Sequence, residues 1–445
     1  MWGFFDNNPS TWLRARRIYL DHASATPVLL EALNATRRAS ALYGNPGATH
    51  AEAVEAKQSL QESREKIAHE LACKAREIIF TSGLTEANNL AILGCARALS
   101  ISGPKGNPLK NTQGLPLVGT HWIVSAIEHD SVLESFAEVE RLGGKVTHLD
   151  PDARGIILPE ILALALRPET VMVSIGWANN EIGVVQPMKA LTAAIRDHDP
   201  STGSGQERKH SKILFHSDAG QAPLYHFPHV HTLGVDLFSL GSGKLYGPRG
   251  IGALYLSNRV SDNSRIASVM IGGGQERGLR AGTEDSALAA GFAEALSIIA
   301  GERDSEPRRL KKMRDDFAKT ILEKIPDAII NGSTALTTGT NLNLDHILPH
   351  MLNISLPNIN AEYLTLVLDR AGIAISTKSA CNEGEKASHV VEALERARNA
   401  LPSEALAKEG RAENTLRFSL GRSTTIHDLD RTLEALAAAR TKNPA

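Results

Sequence analysis

The chain has 445 residues, with 48 Lys plus Arg against 50 Asp plus Glu and a formal net charge of −2. That balance offers no general field for nucleic acid or an anionic bilayer, and no block of like charges stands in for one. Apolar residues at 42% and charged residues at 22% exclude a disordered chain, and the length suits two or three domains. Cys73, Cys95 and Cys381 are too few for a disulfide framework and point to a reducing compartment. No apolar run reaches the ~20 residues of a membrane helix. Met1 to Arg17 holds Arg14, Arg16 and Arg17 but no signal-peptide core, so a cytoplasmic protein is expected.

In chain order, helical patterns run from Pro27 to Tyr43 and from Thr49 to Cys73. Apolar, β-rich runs then alternate with helical stretches. The expected strands are Glu77–Thr81, Trp122–Ser125, Lys145–Leu149, Val171–Gly176, Ile213–Ser217, Leu237–Leu240 and Ile251–Leu256. Thr85–Leu99, Ser131–Leu142 and Leu158–Leu166 read as helices between them. Such alternation predicts an α/β fold, a mostly parallel sheet covered by helices. After Gly282 a helical stretch to Ala300 and a charged one over Ser305–Lys324 lead into short strands at Leu352–Leu356 and Ile373–Ser376, ending in Thr425–Ala439. This part reads as a smaller α+β domain. Gly103–Gly119 and Asp199–Ser211 read as surface insertions.

Gly241-Ser242-Gly243-Lys244 follows the strand Leu237–Leu240. It is not a P-loop, because Phe238 takes the place of the first Gly and Leu245 that of the Ser/Thr; Tyr246 likewise spoils a dinucleotide fingerprint. What is left is a lysine at the C-terminal edge of a sheet, where open α/β folds bind ligands and where an amine of lowered pKa forms Schiff bases. Asp218 ends the preceding strand, with Gln221 three residues on, and suits a protonated pyridine nitrogen. Thr81-Ser82-Gly83-Leu84-Thr85-Glu86 joins a strand to a helix, where free N–H groups and hydroxyls suit a phosphate, or cap the helix and nothing more. Asn179-Asn180-Glu181 and Glu128-His129 also follow strands, so all these groups can converge on one crevice. Cys73 and Cys95 lie in helical patterns and are expected as core fillers, whereas Cys381 precedes the polar stretch Asn382 to Lys386. His226, His229 and His231 lie in a Pro-containing connection and are expected at the surface; no metal site is expected.

Taken together these runs resemble the cysteine desulfurases of class V of the pyridoxal-phosphate aminotransferase superfamily. The resemblance rests on Tyr19-Leu20-Asp21-His22-Ala23-Ser24-Ala25-Thr26-Pro27, Gly44-Asn45-Pro46, Thr81 to Asn89, Asn179 to Val184, Asp218-Ala219-Gly220-Gln221, Lys244-Leu245-Tyr246-Gly247-Pro248, Arg280-Ala281-Gly282-Thr283, Ser379-Ala380-Cys381 and Arg417 to Arg422, in family order from about Ile18. It implies a fold-type I transferase, with a large cofactor domain over 25–303 and a small domain of 1–24 and 304–445 carrying the Cys loop.

Lys244 would hold pyridoxal 5′-phosphate and shuttle protons, Asp218 would pair with the ring nitrogen, and His129 would stack on the ring and assist proton transfer. Asn180 and Gln221 would bond the ring hydroxyl region, with Asn180 also reaching the substrate. The Leu84 backbone, Thr85 and the partner subunit's Thr283 would hold the phosphate. Arg417 would take the carboxylate of L-cysteine, and Cys381 would attack sulfur and leave as a persulfide. The implied enzyme is a homodimer that yields L-alanine and passes sulfur to an iron–sulfur scaffold or another acceptor protein, for cluster assembly or tRNA thiolation.

Two departures stand out. Gly241-Ser242-Gly243 replaces the family's Ser-Gly-His before the lysine, with Ser242 as the substitute phosphate contact, and extra residues occupy the stretch around Leu401–Thr415. Two other readings share the fold: a class V aminotransferase or selenocysteine lyase, and a non-catalytic sulfur-assembly protein.

Overall fold

The computed structural model describes residues 17–102, 115–198, 213–261, 264–332, 343–356, 359–377, 387–399 and 412–441. The 199–211 insertion, most of the 103–119 one, Cys381 with 382–386, and most of the 401–415 stretch lie outside the described residues. The end of the first insertion is described and differs from a surface loop, because Leu117 is buried in the core beside Trp122.

The chain divides into two compact units, Thr26–Asn180 with Val184–Ser305, and the described parts of Met1–Ala25, Glu181–Gly183 and Glu306–Ala445. The second unit contains the first described strand, β1 (Ile18–Tyr19). The larger unit is built on β2 (Ile78–Thr81), β3 (His121–Ser125), β4 (Lys145–Leu149), β5 (Thr170–Ser174), β6 (Leu214–Asp218), β7 (Leu237–Gly241) and β8 (Gly252–Leu256). They form one sheet in the order β2-β8-β7-β6-β5-β3-β4, in which β8 alone runs against its neighbours. Strands covered on both faces need no polar side, and β7 and β8 are buried at every position.

The helix Leu84–Ser102 lies against β6, β7 and β8 and seals one face through Ala87, Leu90, Ala91 and Cys95. The Ala-rich helix Ser286–Glu302 packs on helices Leu30–Ala39 and Ala51–Glu70. The approach is close: a Cβ on Gly291 would meet Thr36 Oγ1 at 2.1 Å, so only glycine fits. The second of these helices ends earlier than its apolar pattern. Ala72 takes a left-handed φ of 53° and the Cys73 N–H turns back to the Ala68 carbonyl at 2.9 Å, an αL helix stop. Cys73 is therefore a half-buried turn residue and not the helical core filler expected, whereas Cys95 is buried in its helix.

In the smaller unit, β9 (Ile329–Ile330) and β10 (Met351–Ser355) pair antiparallel, β11 (Ile373–Ala374) pairs with β1, and β12 (Thr415–Ser419) pairs antiparallel with β10. Helices Glu306–Lys324 and Ile426–Thr441 pack against each other. β12, which carries Arg417, has no counterpart among the expected strands.

Candidate active site

The register of the large sheet brings the candidate residues to one edge. Asp218 pairs with Ser239 across β6 and β7, and Ser174 pairs with both His216 and Val124. The segments leaving β3, β5, β6 and β7 thus emerge together at the C-terminal edge of the parallel strands, the place where open α/β sheets bind ligands. The cleft there is lined by Glu128, His129, Asn179, Asn180, Gln186, Asp218, Gln221 and Lys244, among others.

Lys244 ends the one-turn 3₁₀ helix Ser242–Lys244 that follows β7. Asp218 accepts from the Gly220 N–H at 2.8 Å and from Asn88 Nδ2 at 2.7 Å. His129 caps the helix Asp130–Arg141: its Nδ1 accepts from the Ser131 N–H at 3.1 Å. Glycines let these groups close up. A Cβ on Gly220 would stand 2.7 Å from Leu84 Cδ2, 3.2 Å from Asp218 Oδ1 and 3.5 Å from Lys244 Cδ, and one on Gly241 would stand 2.9 Å from Leu84 Cβ. The first turn of helix Leu84–Ser102 therefore abuts the lysine turn. Its leading amides lack intrahelical acceptors, as every helix start does.

Two buried groups were not singled out by sequence reasoning for a role. Glu128 is buried and accepts from the Gly176 N–H at 2.8 Å. Burial pushes its carboxyl up to about 8, and the nearby Asp218 charge adds to the rise against the pull of the Gly176 N–H. His216, two residues before Asp218, bonds Ser174 Oγ at 2.8 Å and Ser239 Oγ at 3.0 Å, and burial pushes it down to about 4. The signal for His216 was available, a titratable residue within a run that folds as buried strand, whereas Glu128 was placed at the crevice from the sequence without a role of its own.

The structure brings Lys244, Asp218, His129, Asn180 and Gln221 into one cleft, with Leu84 against Gly220 and Gly241 beside it and Thr85 next in the same helix turn. It does not bring Ser242 there. That hydroxyl is fully buried, has no hydrogen-bond partner among the described residues and faces Gly247, where a Cβ would be 2.1 Å away. Thr283 is exposed. The polar run Asn179-Asn180-Glu181 also does not act as one group. Glu181 belongs to the smaller unit, where its carboxylate accepts from Ser388 Oγ at 2.6 Å. Arg417, likewise in the smaller unit, is buried and donates to Asp21 Oδ1 at 2.8 Å and Ser24 Oγ at 2.6 Å. His229 and His231 are exposed, while His226 is half-buried with its ring 5.8 Å from that of Trp177. Burial pushes the Cys73 thiol up to about 12 and the Cys95 thiol up to about 11, which leaves both protonated and poor nucleophiles.

The model of the aminotransferase class-V family matches residues 18–432, which include every residue of this cleft. A cysteine desulfurase IscS of Dictyoglomus turgidum is 36% identical over 424 residues, covering 95% of this chain and 94% of that protein. The mitochondrial cysteine desulfurase of Arthroderma benhamiae is 34% identical, over 95% of this chain and 74% of its own. Among solved structures, a NifS-like protein aligns with a TM-score of 0.78 at 27% identity, over 96% of this chain and all of the other. SspA in complex with cysteine aligns with a TM-score of 0.70 at 31% identity, over 91% of this chain and 98% of its own. The chain belongs to the class-V aminotransferase family, on its cysteine desulfurase branch.

Proposed function

We propose that the cleft binds pyridoxal 5′-phosphate and that the enzyme takes sulfur from L-cysteine, releasing L-alanine and leaving a persulfide on Cys381. The observation that carries this reading is the meeting, in one cleft, of a lysine amine, a cleft-lining histidine and an aspartate held by neutral donors. An amine to link the aldehyde, a carboxylate for a ring N–H, and helix-start amides for a phosphate fit that cofactor. Bound there, it supplies an electron sink for the substrate Cα.

Lys244 Nζ is the amine that would hold the cofactor and would carry the substrate's Cα proton. Asp218, its two oxygens fixed by Asn88 and the Gly220 N–H, would pair with the protonated ring nitrogen. Asn180 and Gln221 would orient the ring hydroxyl, and the Leu84 amide, Thr85 and the partner subunit's Thr283 would take the phosphate. Arg417, preset by Asp21 and Ser24, receives the substrate carboxylate with its guanidinium fork. The Cys381 thiolate attacks the substrate sulfur: an S–S bond forms, the C–S bond breaks, and protonation at Cβ completes the methyl group of alanine. The persulfide then passes to a thiol acceptor, an iron–sulfur scaffold or a tRNA-thiolation protein. We assign the enzyme to the cytoplasm as a homodimer, with the Cys381 loop in the smaller domain. Among the described residues no helix is long and apolar enough to cross a membrane.

The test is a pair of variants. Lys244→Ala should lose both activity and the absorbance band at about 420 nm that marks a lysine–pyridoxal linkage; retained turnover would overturn the cofactor assignment. Cys381→Ser should keep the band and yield no alanine, because a serine hydroxyl is a poor nucleophile toward sulfur. Alanine at the original rate from that variant would replace desulfuration with aminotransferase or lyase chemistry.

A further inference from the structure

The hydrogen bonds on the Nδ1 side of His129 fix where its protons sit. Asn88 is fully buried, and its Nδ2 lies 2.7 Å from Asp218 Oδ2 and 2.9 Å from Ser131 Oγ. A carboxylate oxygen only accepts, so the amide nitrogen faces it and both amide hydrogens are used. Ser131 Oγ therefore accepts from Asn88, and its own hydrogen goes to His129 Nδ1, 2.9 Å away. The Ser131 N–H donates to the same Nδ1 at 3.1 Å. An N–H cannot accept, so Nδ1 carries a lone pair and the proton of the neutral ring sits on Nε2.

We propose that Asn88 and Ser131 are positioning residues that lock His129 as its Nε2–H tautomer and tie it to the Asp218 carboxylate. The chemistry this serves rests on the function proposed above; the tautomer itself does not. A proton added to Nδ1 would point at the Ser131 N–H, so the neutral ring is held with its Nε2–H as the hydrogen-bond donor it offers outside this network. Asn88 also makes the two cofactor-facing groups mechanically dependent, since one amide orients both Asp218 and, through Ser131, His129.

The direct test is nitrogen NMR of the full-length holoenzyme labelled with ¹⁵N-histidine, the His129 signals identified by their loss in His129→Gln. Neutral His129 should show a protonated Nε2 and an unprotonated Nδ1; a protonated Nδ1 overturns the proposal. The kinetic test is Ser131→Ala, which should lower kcat roughly tenfold, the weight of one hydrogen bond, with KM for cysteine and the 420 nm band unchanged. Ser131→Thr, which keeps the hydroxyl, should restore kcat. A merely structural Ser131 would instead lower thermal stability or cofactor content at an unchanged kcat per bound cofactor, and that result also overturns it. If the unmutated protein forms no 420 nm band, the cofactor reading fails, and the same NMR measurement on the cofactor-free chain still decides the tautomer.

Discussion

Asp218 and Asp236 belong to neighbouring strands of the same sheet and are treated in opposite ways. Asp236 stands just before β7, at the N-terminal edge, and is gripped by Arg196 at 2.6 Å, by Arg259, and by the Phe215 N–H at 2.9 Å. Asp218 ends β6 at the C-terminal edge and, among the described residues, is held by one amide side chain and one backbone N–H. A carboxylate that serves the fold is given its own cations. Asp218 is oriented by neutral donors, and on the function proposed above its charge is left for a cation that arrives with the ligand. The sheet thus separates stability from chemistry by edge, and each edge is open to test.

The largest expected effect is on the C-terminal edge. Asp218→Asn should cut turnover by about 10²–10³-fold, as loss of one charge-assisted contact at a reaction centre does, while the melting temperature barely moves. Equal losses of stability and turnover would erase the distinction between the two aspartates. On the opposite edge, Asp236→Asn should cost about 2 kcal/mol of stability in denaturant titration, with kcat kept. The figure allows for the partial exposure of Arg196 and Arg259, which water screens when the partner is lost. A variant as stable as the parent would remove Asp236 from its structural role.

A third effect, read as a slope against pH, concerns Glu128, which lines the C-terminal edge but is neutral over much of the working range. Its folded value of about 8 stands above the ordinary 4.5, so the native state binds that proton more tightly than the unfolded chain. The stability it contributes is full below about pH 4.5 and falls as pH rises toward about pH 8. Glu128→Gln, which keeps the shape of the acid, should flatten the decline in melting temperature between about pH 5 and pH 9. Parallel curves for parent and variant would show that Glu128 keeps an ordinary carboxyl value.

Much of this site is legible in the chain alone because each element that delivers it has a strong local signature. Apolar strands ending in Asp218 or Gly241 stop at polar or small residues, and a turn residue after a parallel strand has nowhere to go but the sheet edge. Arg417 was placed by family motif only, although the five-residue β12 alternates Leu416 and Phe418 with Thr415, Arg417 and Ser419, a period-two signal that sequence reasoning passed over. Cys73 was misread for a related reason: the apolar pattern of its helix outruns the helix, which an alanine in left-handed conformation ends.

By itself the sequence determined the α/β alternation, the mostly parallel sheet, the cleft lysine with its aspartate and histidine, and membership of the family. These follow from hydrophobic period and from motifs that hold their function within a few residues. Only the tertiary structure decided that Asn88 and Ser131 join Asp218 to His129, that Ser242 turns toward Gly247 and that Glu181 leaves its asparagine neighbours for the smaller unit. Which donor meets which acceptor depends on strand register and helix rotation between segments tens of residues apart. No local pattern encodes that geometry, because hydrogen bonds are directional at the scale of an ångström while hydrophobic periodicity is not.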